Sequence, residues 1–339
     1  MTLRPARRKV FAFCAALFAV LSLFPSPATA QELRKVTLSF HWKAQAQWAG
    51  FYMAREKGFY RQNGLDVTLV PRRGRSDPLD LLMDKRIDFA THTLAAGLGF
   101  RSMSQPIVLV AQIFNRSSLM VVARRSEGIN SVTDLSGKAV AFWDGYFRFS
   151  FRSFFNNQGV VHLHELPMGV TVTQFTNRQV AAVSAMDYNE YNLILNSPNV
   201  DRDDLIVFRL RDMGMDFPED ALYTTEAIAV AEPEICRALV SASLEGWKYA
   251  RDNREETLSV IMREAGGSQN EPVTKEHQKW MLDSCLDSIF IPEGSGRRPG
   301  VLSRVDFAAL YAFLRKNGQL RQAVAYDDFV RFSAVEKAR

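Results

Sequence analysis

From Val36 onward the chain alternates short apolar runs with segments of helical period. Val36 to Phe40 switches between apolar and polar positions and is rich in β-formers, which predicts a strand. Trp48, Phe51, Tyr52 and Phe59 then recur at near-helical spacing. Gly58 stands where a left-handed C-cap is needed, with apolar Phe59 just beyond it. Asn63-Gly64 signals a turn before the run Leu65 to Val70. Further strands are predicted at IDFAT, PIVLVAQI and SLMVVARR, with helices over Trp48 to Lys57, Pro78 to Asp84 and Leu94 to Ser102. A second unit opens at SVTDLSGKAVAF. It continues with helix Phe147 to Gln158, strand Val160 to Leu166, helix Val172 to Arg178, strand Val180 to Met186, helix Asp187 to Asn196 and strand Leu205 to Leu210. After Pro218 the pattern is almost entirely helical: Glu232 to Asn253, Arg254 to Glu264, Thr274 to Asp287 and Ser303 to Lys316. Alternation of this kind argues for α/β sheets with helices on their faces.

The layout suits two lobes between which the chain crosses twice. One lobe is expected to comprise residues 31–122 plus 223–339, the other residues 123–222. The N-terminus reads as an export leader over residues 1–30: a basic stretch with Arg4, Arg7, Arg8 and Lys9, an apolar core, and Ala28-Thr29-Ala30 before a cut after Ala30. Such a leader implies a soluble, periplasmic protein. It also changes the charge picture. Of 42 basic and 37 acidic residues, four basic ones fall in the leader, leaving 38 against 37. A near-neutral balance with no basic, aromatic-interleaved stripe gives no reason to expect nucleic acid as a partner. Arg72, Arg73 and Arg75 read as a solvated loop. Cys236 and Cys285 remain after the leader, and a disulfide and two buried thiols both stay open.

In open α/β sheets, ligands collect at the carboxyl ends of strands and the helix N-termini beside them. Trp42 and Gln45 follow the first strand, and an indole face there would bind a flat ring by stacking and burial, worth a few kcal/mol. His92 ends IDFAT, and Asn115 follows IVLVAQI on the same rim. On the second lobe Trp143 and Tyr146 follow KAVAF, while Tyr188, Asn189 and Glu190 follow VAAVSAM. For Asp187 and Glu190 a second reading is structural, as N-cap and capping-box partner of the next helix. The two readings coexist for Asp187 but compete for Glu190. His162 and His164 are expected to share one strand face, without an evident third metal ligand. No HExxH, Walker loop or GxSxG occurs, so neither a catalytic set nor a cofactor or metal is expected.

Two stretches carry a family resemblance. Trp42, the AQAQ run, GFYMAREKGFY and GLDV, with Ala185, Met186, Tyr188, Asn189, Glu190 and Tyr191 downstream, resemble the NMT1/THI5-like solute-binding proteins. That family includes binders of thiamine-pyrimidine precursors and riboflavin. The resemblance implies a periplasmic binding protein fold of type II, a monomer of two α/β lobes around a cleft. It implies capture of a small heteroaromatic compound and delivery to an ABC permease. A sensing role at a membrane receptor and a sulfonate- or nitrate-type solute are the alternatives. Family pyrimidine synthases carry a cysteine-rich motif that is absent here, so an enzyme is not expected.

Overall fold

Two five-stranded sheets organise the described part of the chain. The computed structural model describes residues 32–331 apart from 73, 75, 267–272 and 293, and apart from the side chain of Tyr146. The expected leader lies outside the described residues. The strands are β1 Arg34–Ser39, β2 Leu65–Val70, β3 Phe89–Thr93, β4 Ile107–Gln112, β5 Leu119–Arg124, β6 Ala139–Phe142, β7 His164–Pro167, β8 Ala182–Met186, β9 Leu205–Arg209 and β10 Asp220–Thr225. The helices used below are α1 Ala49–Glu56, α2 Leu94–Ser102, α3 Tyr146–Asn157, α4 Glu190–Leu195, α5 Pro233–Asp252, α6 Lys275–Ile289 and α7 Arg304–Lys316.

The first sheet has the order β2-β1-β3-β10-β4 and the second β7-β6-β8-β5-β9. In each, one strand runs against its neighbours. β10 is antiparallel to β3 and β4, and β5 is antiparallel to β8 and β9. Each of these reversed strands is the first to follow a crossing between the sheets. A chain arriving from the other sheet enters on the cleft side and must run away from it. By contrast β1, β3, β6 and β8 run towards the cleft and end there.

Three sequence expectations change. The lobe boundary drawn between residues 122 and 123 falls inside β5, which pairs entirely within the second sheet. The crossings therefore lie in 113–118 and 214–219. The stretch after Pro218 was expected to be helical, yet Asp220–Thr225 is a central strand. Its position between β3 and β4 buries both faces, so tertiary pairing overrides the weak local pattern. The strand expected from Val160 shortens to β7. His162 has a left-handed backbone (φ 56) ahead of it and shares no strand face with His164.

Packing explains why the first cleft loop is held firmly. Trp48 stacks on Phe40 with ring centroids 4.8 Å apart, and its indole N–H donates to the Lys43 carbonyl at 3.1 Å. Helices α1 and α5 cross at Gly50 and Gly246, so closely that a Cβ on Gly246 would lie 2.0 Å from the Gly50 carbonyl oxygen. Cys236 and Cys285 are both unpaired and buried within this helical layer. Among the described residues, no helix is long and apolar enough to cross a membrane.

Candidate functional site

A cavity of about 390 Å³ opens where the carboxyl ends of the two sheets face each other. From the first sheet it is lined by His41, Trp42, Gln45 and Gln47 after β1, by Arg72 and Asp77 after β2, and by His92 in β3. The second sheet contributes Trp143, Asp144, Gly145 and Phe147 after β6, Met186 at the end of β8, and Tyr188, Asn189 and Glu190 after it. A cavity of this size with apolar rings and a few convergent polar groups has the character of a small-molecule site.

Two indoles meet across the cleft. Trp42 and Trp143 lie with centroids 5.3 Å apart and planes at 83°, edge to face. Both are half-buried, so each keeps part of its ring towards the cavity.

A polar network forms the floor beneath them. Gln45 Nε2 donates to Gln47 Oε1 at 2.7 Å, and Gln47 Nε2 donates to Asp220 Oδ2 at 2.7 Å. The other Asp220 oxygen lies 3.6 Å from His41 Nε2. Because β10 runs backwards, its amino end pairs with the carboxyl end of β3, Asp220 opposite Thr93, which brings Asp220 to the cleft floor. His41 stacks on His92 with centroids 4.9 Å apart. The Thr93 backbone N–H donates to His92 Nδ1 at 2.9 Å, which leaves the proton on Nε2 to donate to Asp77 Oδ2 at 3.2 Å. Burial, and then the neighbouring His92, hold His41 well below the ordinary imidazole value, so it is neutral. Burial likewise pushes Asp220 up to about 6, with the Gln47 bond opposing.

The second wall centres on Glu190, which is 2% exposed. Its Oε2 accepts the Met186 backbone N–H at 2.8 Å and its Oε1 accepts Asn189 Nδ2 at 2.8 Å. Burial raises the Glu190 pKa, and those bonds oppose it. The capping box, the alternative reading of Asp187 and Glu190, does not form. Helix α4 starts at Glu190 itself, and Asp187 instead pairs with Arg211 at 2.9 Å. Burial pushes Asp187 up to about 6 against that pairing. Tyr188 is buried with its ring edge-on to Phe114 at 6.0 Å.

The cavity thus gathers Trp42, Gln45, His92, Trp143, Tyr188, Asn189 and Glu190 of the residues singled out from sequence. Asn115 is not among them. It sits on the first crossing, where its side chain donates to the Ile289 carbonyl at 2.9 Å and so closes the end of α6. Tyr146 opens α3, and its side chain lies outside the described residues. Arg72, Asp77, Phe147 and Met168 line the cavity without having been assigned to the site. Arg72 had been read as part of a solvated loop, but its backbone N–H donates to the Trp42 carbonyl at 3.0 Å, bending the loop over the cleft. Asp220 lay in a stretch with no strand signal.

A family model described as NMT1/THI5 like matches residues 45–257, more than half of the chain. A formylaminopyrimidine-binding protein of Halalkalibacterium halodurans is 23% identical over 293 residues, 84% of this chain and 87% of the relative. A riboflavin-binding protein of Chloroflexus aurantiacus is 25% identical over 256 residues, 70% and 69% of the two chains. Relatives named as pyrimidine phosphate synthases match too, at 18% identity over 229 residues in Legionella pneumophila (67% of this chain, 72% of that one). Among solved structures, the alkanesulfonate-binding protein SsuA of Xanthomonas axonopodis superposes with a TM-score of 0.66 at 13% identity. That match covers 88% of this chain and 99% of the other. The shared architecture is the periplasmic binding protein fold, two α/β lobes around a cleft.

Proposed function

The chain belongs to the NMT1/THI5-like family, and on that premise we propose that it is a periplasmic solute-binding protein for a small heteroaromatic compound, delivered to an ABC permease. The observation that carries this reading is the indole pair, Trp42 and Trp143, one from each lobe, facing the same cavity beside a buried carboxylate. Flat apolar faces bind a planar ring by burial and offset or edge-on aromatic contact. Glu190, oriented by Asn189, then offers an acceptor to amino or ring-nitrogen groups. A ligand touching both walls favours the closed form, which is how such a protein would signal occupancy to its permease.

Charge narrows the solute further. Asp77, Asp144 and Glu190 line the cavity against Arg72, and His41 is neutral. An anionic sulfonate or nitrate would meet more carboxylates than cations, so a neutral or cationic heterocycle fits better.

The test is a thermal-shift panel of a formylaminopyrimidine, riboflavin, an alkanesulfonate and nitrate. A ligand at 100 times its dissociation constant adds about 2.7 kcal/mol of stability. The expected result is a shift with one of the heterocycles and none with the anions, with the bound heterocycle recovered chemically unchanged. Trp42→Ala should abolish the shift while the ligand-free protein stays folded. Glu190→Gln should weaken binding more than it lowers ligand-free stability. Retained binding in Trp42→Ala, or the reverse ranking for Glu190→Gln, defeats the assignment of that residue.

A further inference from the structure

Helix α6 contributes nothing to the cavity lining, yet it contacts the first crossing, the loop after β1 and the second lobe. At its carboxyl end, the Ser288 and Ile289 carbonyls accept the backbone N–H and side-chain amide of Asn115, at 2.8 and 2.9 Å, on the first crossing. In its body, Gln278 Oε1 accepts the Ala46 backbone N–H at 2.7 Å, in the loop that carries Trp42 and Gln45. These contacts fix α6 to the first lobe and the hinge.

Its amino-terminal turn reaches the second lobe instead. His277 Nδ1 lies 2.8 Å from Asn192 Oδ1, and His277 Nε2 lies 3.0 Å from Asn189 Oδ1. Trp280 Nε1 donates to the Asp187 carbonyl at 2.8 Å, and its ring meets Tyr191 edge-on at 6.4 Å. Asn189 is committed on both sides. Its Nδ2 donates to Glu190 Oε1, so its Oδ1 is turned to His277, and His277 Nε2 is the donor. The first lobe thereby holds the residue that orients the carboxylate of the second.

We propose that His277 and Trp280 form a latch between the lobes that sets the open–closed balance of the cleft before a ligand arrives. Its effect on affinity rests on the binding function above; its effect on conformation does not. Observed affinity scales with the fraction of protein already in the binding-competent form, so residues outside the cavity tune it. His277 acts as a positioning residue, through Asn189, on Glu190.

The experiment places one spin label on each lobe, at cysteines replacing exposed Arg61 and Asp203, and measures the interlobe distance without ligand. Of the three native cysteines, Cys14 falls in the expected leader, and Cys236 and Cys285 are buried and resist labelling. Wild type should give a predominantly closed distribution. Removing the His277 bonds in His277→Ala should raise the open-to-closed ratio roughly tenfold. Trp280→Phe, which keeps the ring but drops the indole N–H, should raise it by a smaller factor. Lys279→Ala, which removes only an exposed pair with Asp283 on the same helix, should match wild type. Affinity for whichever heterocycle shifts the wild-type protein should fall in the same order, and urea unfolding of each variant separates opening from misfolding. A wild-type distribution that is already open overturns the latch. So do unchanged distances in folded His277→Ala and Trp280→Phe, or an equal shift in Lys279→Ala. If no heterocycle binds wild type, the functional reading fails while the distances still decide the latch.

Discussion

Asp220 carries an electrostatic cost that its neighbours do not remove. Gln47 gives it one strong hydrogen bond, but the nearest imidazole, His41, is held neutral by its own burial. Burial outweighs the Gln47 bond and the more distant His92, and the carboxyl titrates at about 6. In the unfolded chain the same group titrates near about 3.9. Between those values the folded protein keeps a proton that the unfolded chain has released. Stability therefore falls as pH rises through this window, by on the order of 2–3 kcal/mol, and stays lower above it. Asp220→Asn keeps an acceptor for Gln47 and removes the titration. Urea unfolding at about pH 4, 5, 6 and 7 should show the variant gaining stability relative to wild type as pH rises. Parallel pH profiles for the two proteins would mean that Asp220 is better solvated than its burial implies.

At the scale of elements, the crossing of α1 and α5 decides where the first cleft loop stands. Gly246→Ala places a methyl 2.0 Å from the Gly50 carbonyl oxygen and 2.7 Å from the Ala54 nitrogen, both backbone atoms that cannot rotate away. The helices must separate, at a cost of about 1–3 kcal/mol or more. Denaturant unfolding should report that loss, and heterocycle affinity should fall with it, because α1 continues directly from the loop bearing Trp42, Gln45 and Gln47. A silent substitution would show that the helices are less tightly apposed. Neither glycine announces this role locally. What was legible is the part that obeys local rules: β1 with its loop and helix, Gly58 at φ 74, and the helices opening at Thr274 and Ser303, whose side chains cap α6 and α7. Each depends on residues within a few positions of one another. β10 was illegible because its polar residues are satisfied from afar, Asp220 by Gln47 and Thr224 by the Asp88 carbonyl. The same cause hid part of the site. Trp42, Trp143 and the Tyr188–Glu190 run sit at the ends of readable strands, whereas Asp77 and Asp220 become cleft residues only once the sheet is assembled. Asn115 failed in the opposite sense: its strand end was read correctly, but the helix terminus it caps comes from residues far along the chain.

The whole molecule turns on the two crossings, and their stitching sets how freely the lobes can move. Glu219 on the second crossing accepts from the Ser117 and Ser118 hydroxyls of the first at 2.8 and 2.5 Å. Asp216 accepts the Ser117 backbone N–H at 3.0 Å. Arg297 closes the set from a third segment: it donates to the Asn115 carbonyl, to both the carboxylate and the carbonyl of Asp216, and to Asp306 on α7. One guanidinium thus fastens both crossings to the helical layer, using its planar fork in a way an ammonium cannot reproduce. Arg297→Ala leaves Asp216 and Asp306 facing each other without a cation. The expected loss is on the order of 2–4 kcal/mol, since breaking a partly buried pair strands its partners. Arg297→Lys should recover only a minor part, because a point charge cannot reach both crossings. If this cluster is the hinge fastening, the loss in urea midpoint will come with a broader interlobe distance distribution in the spin-labelled protein. A midpoint loss with an unbroadened distribution would assign Arg297 to the stability of the helical layer alone, and the restraint on lobe motion to Glu219 and its two serines.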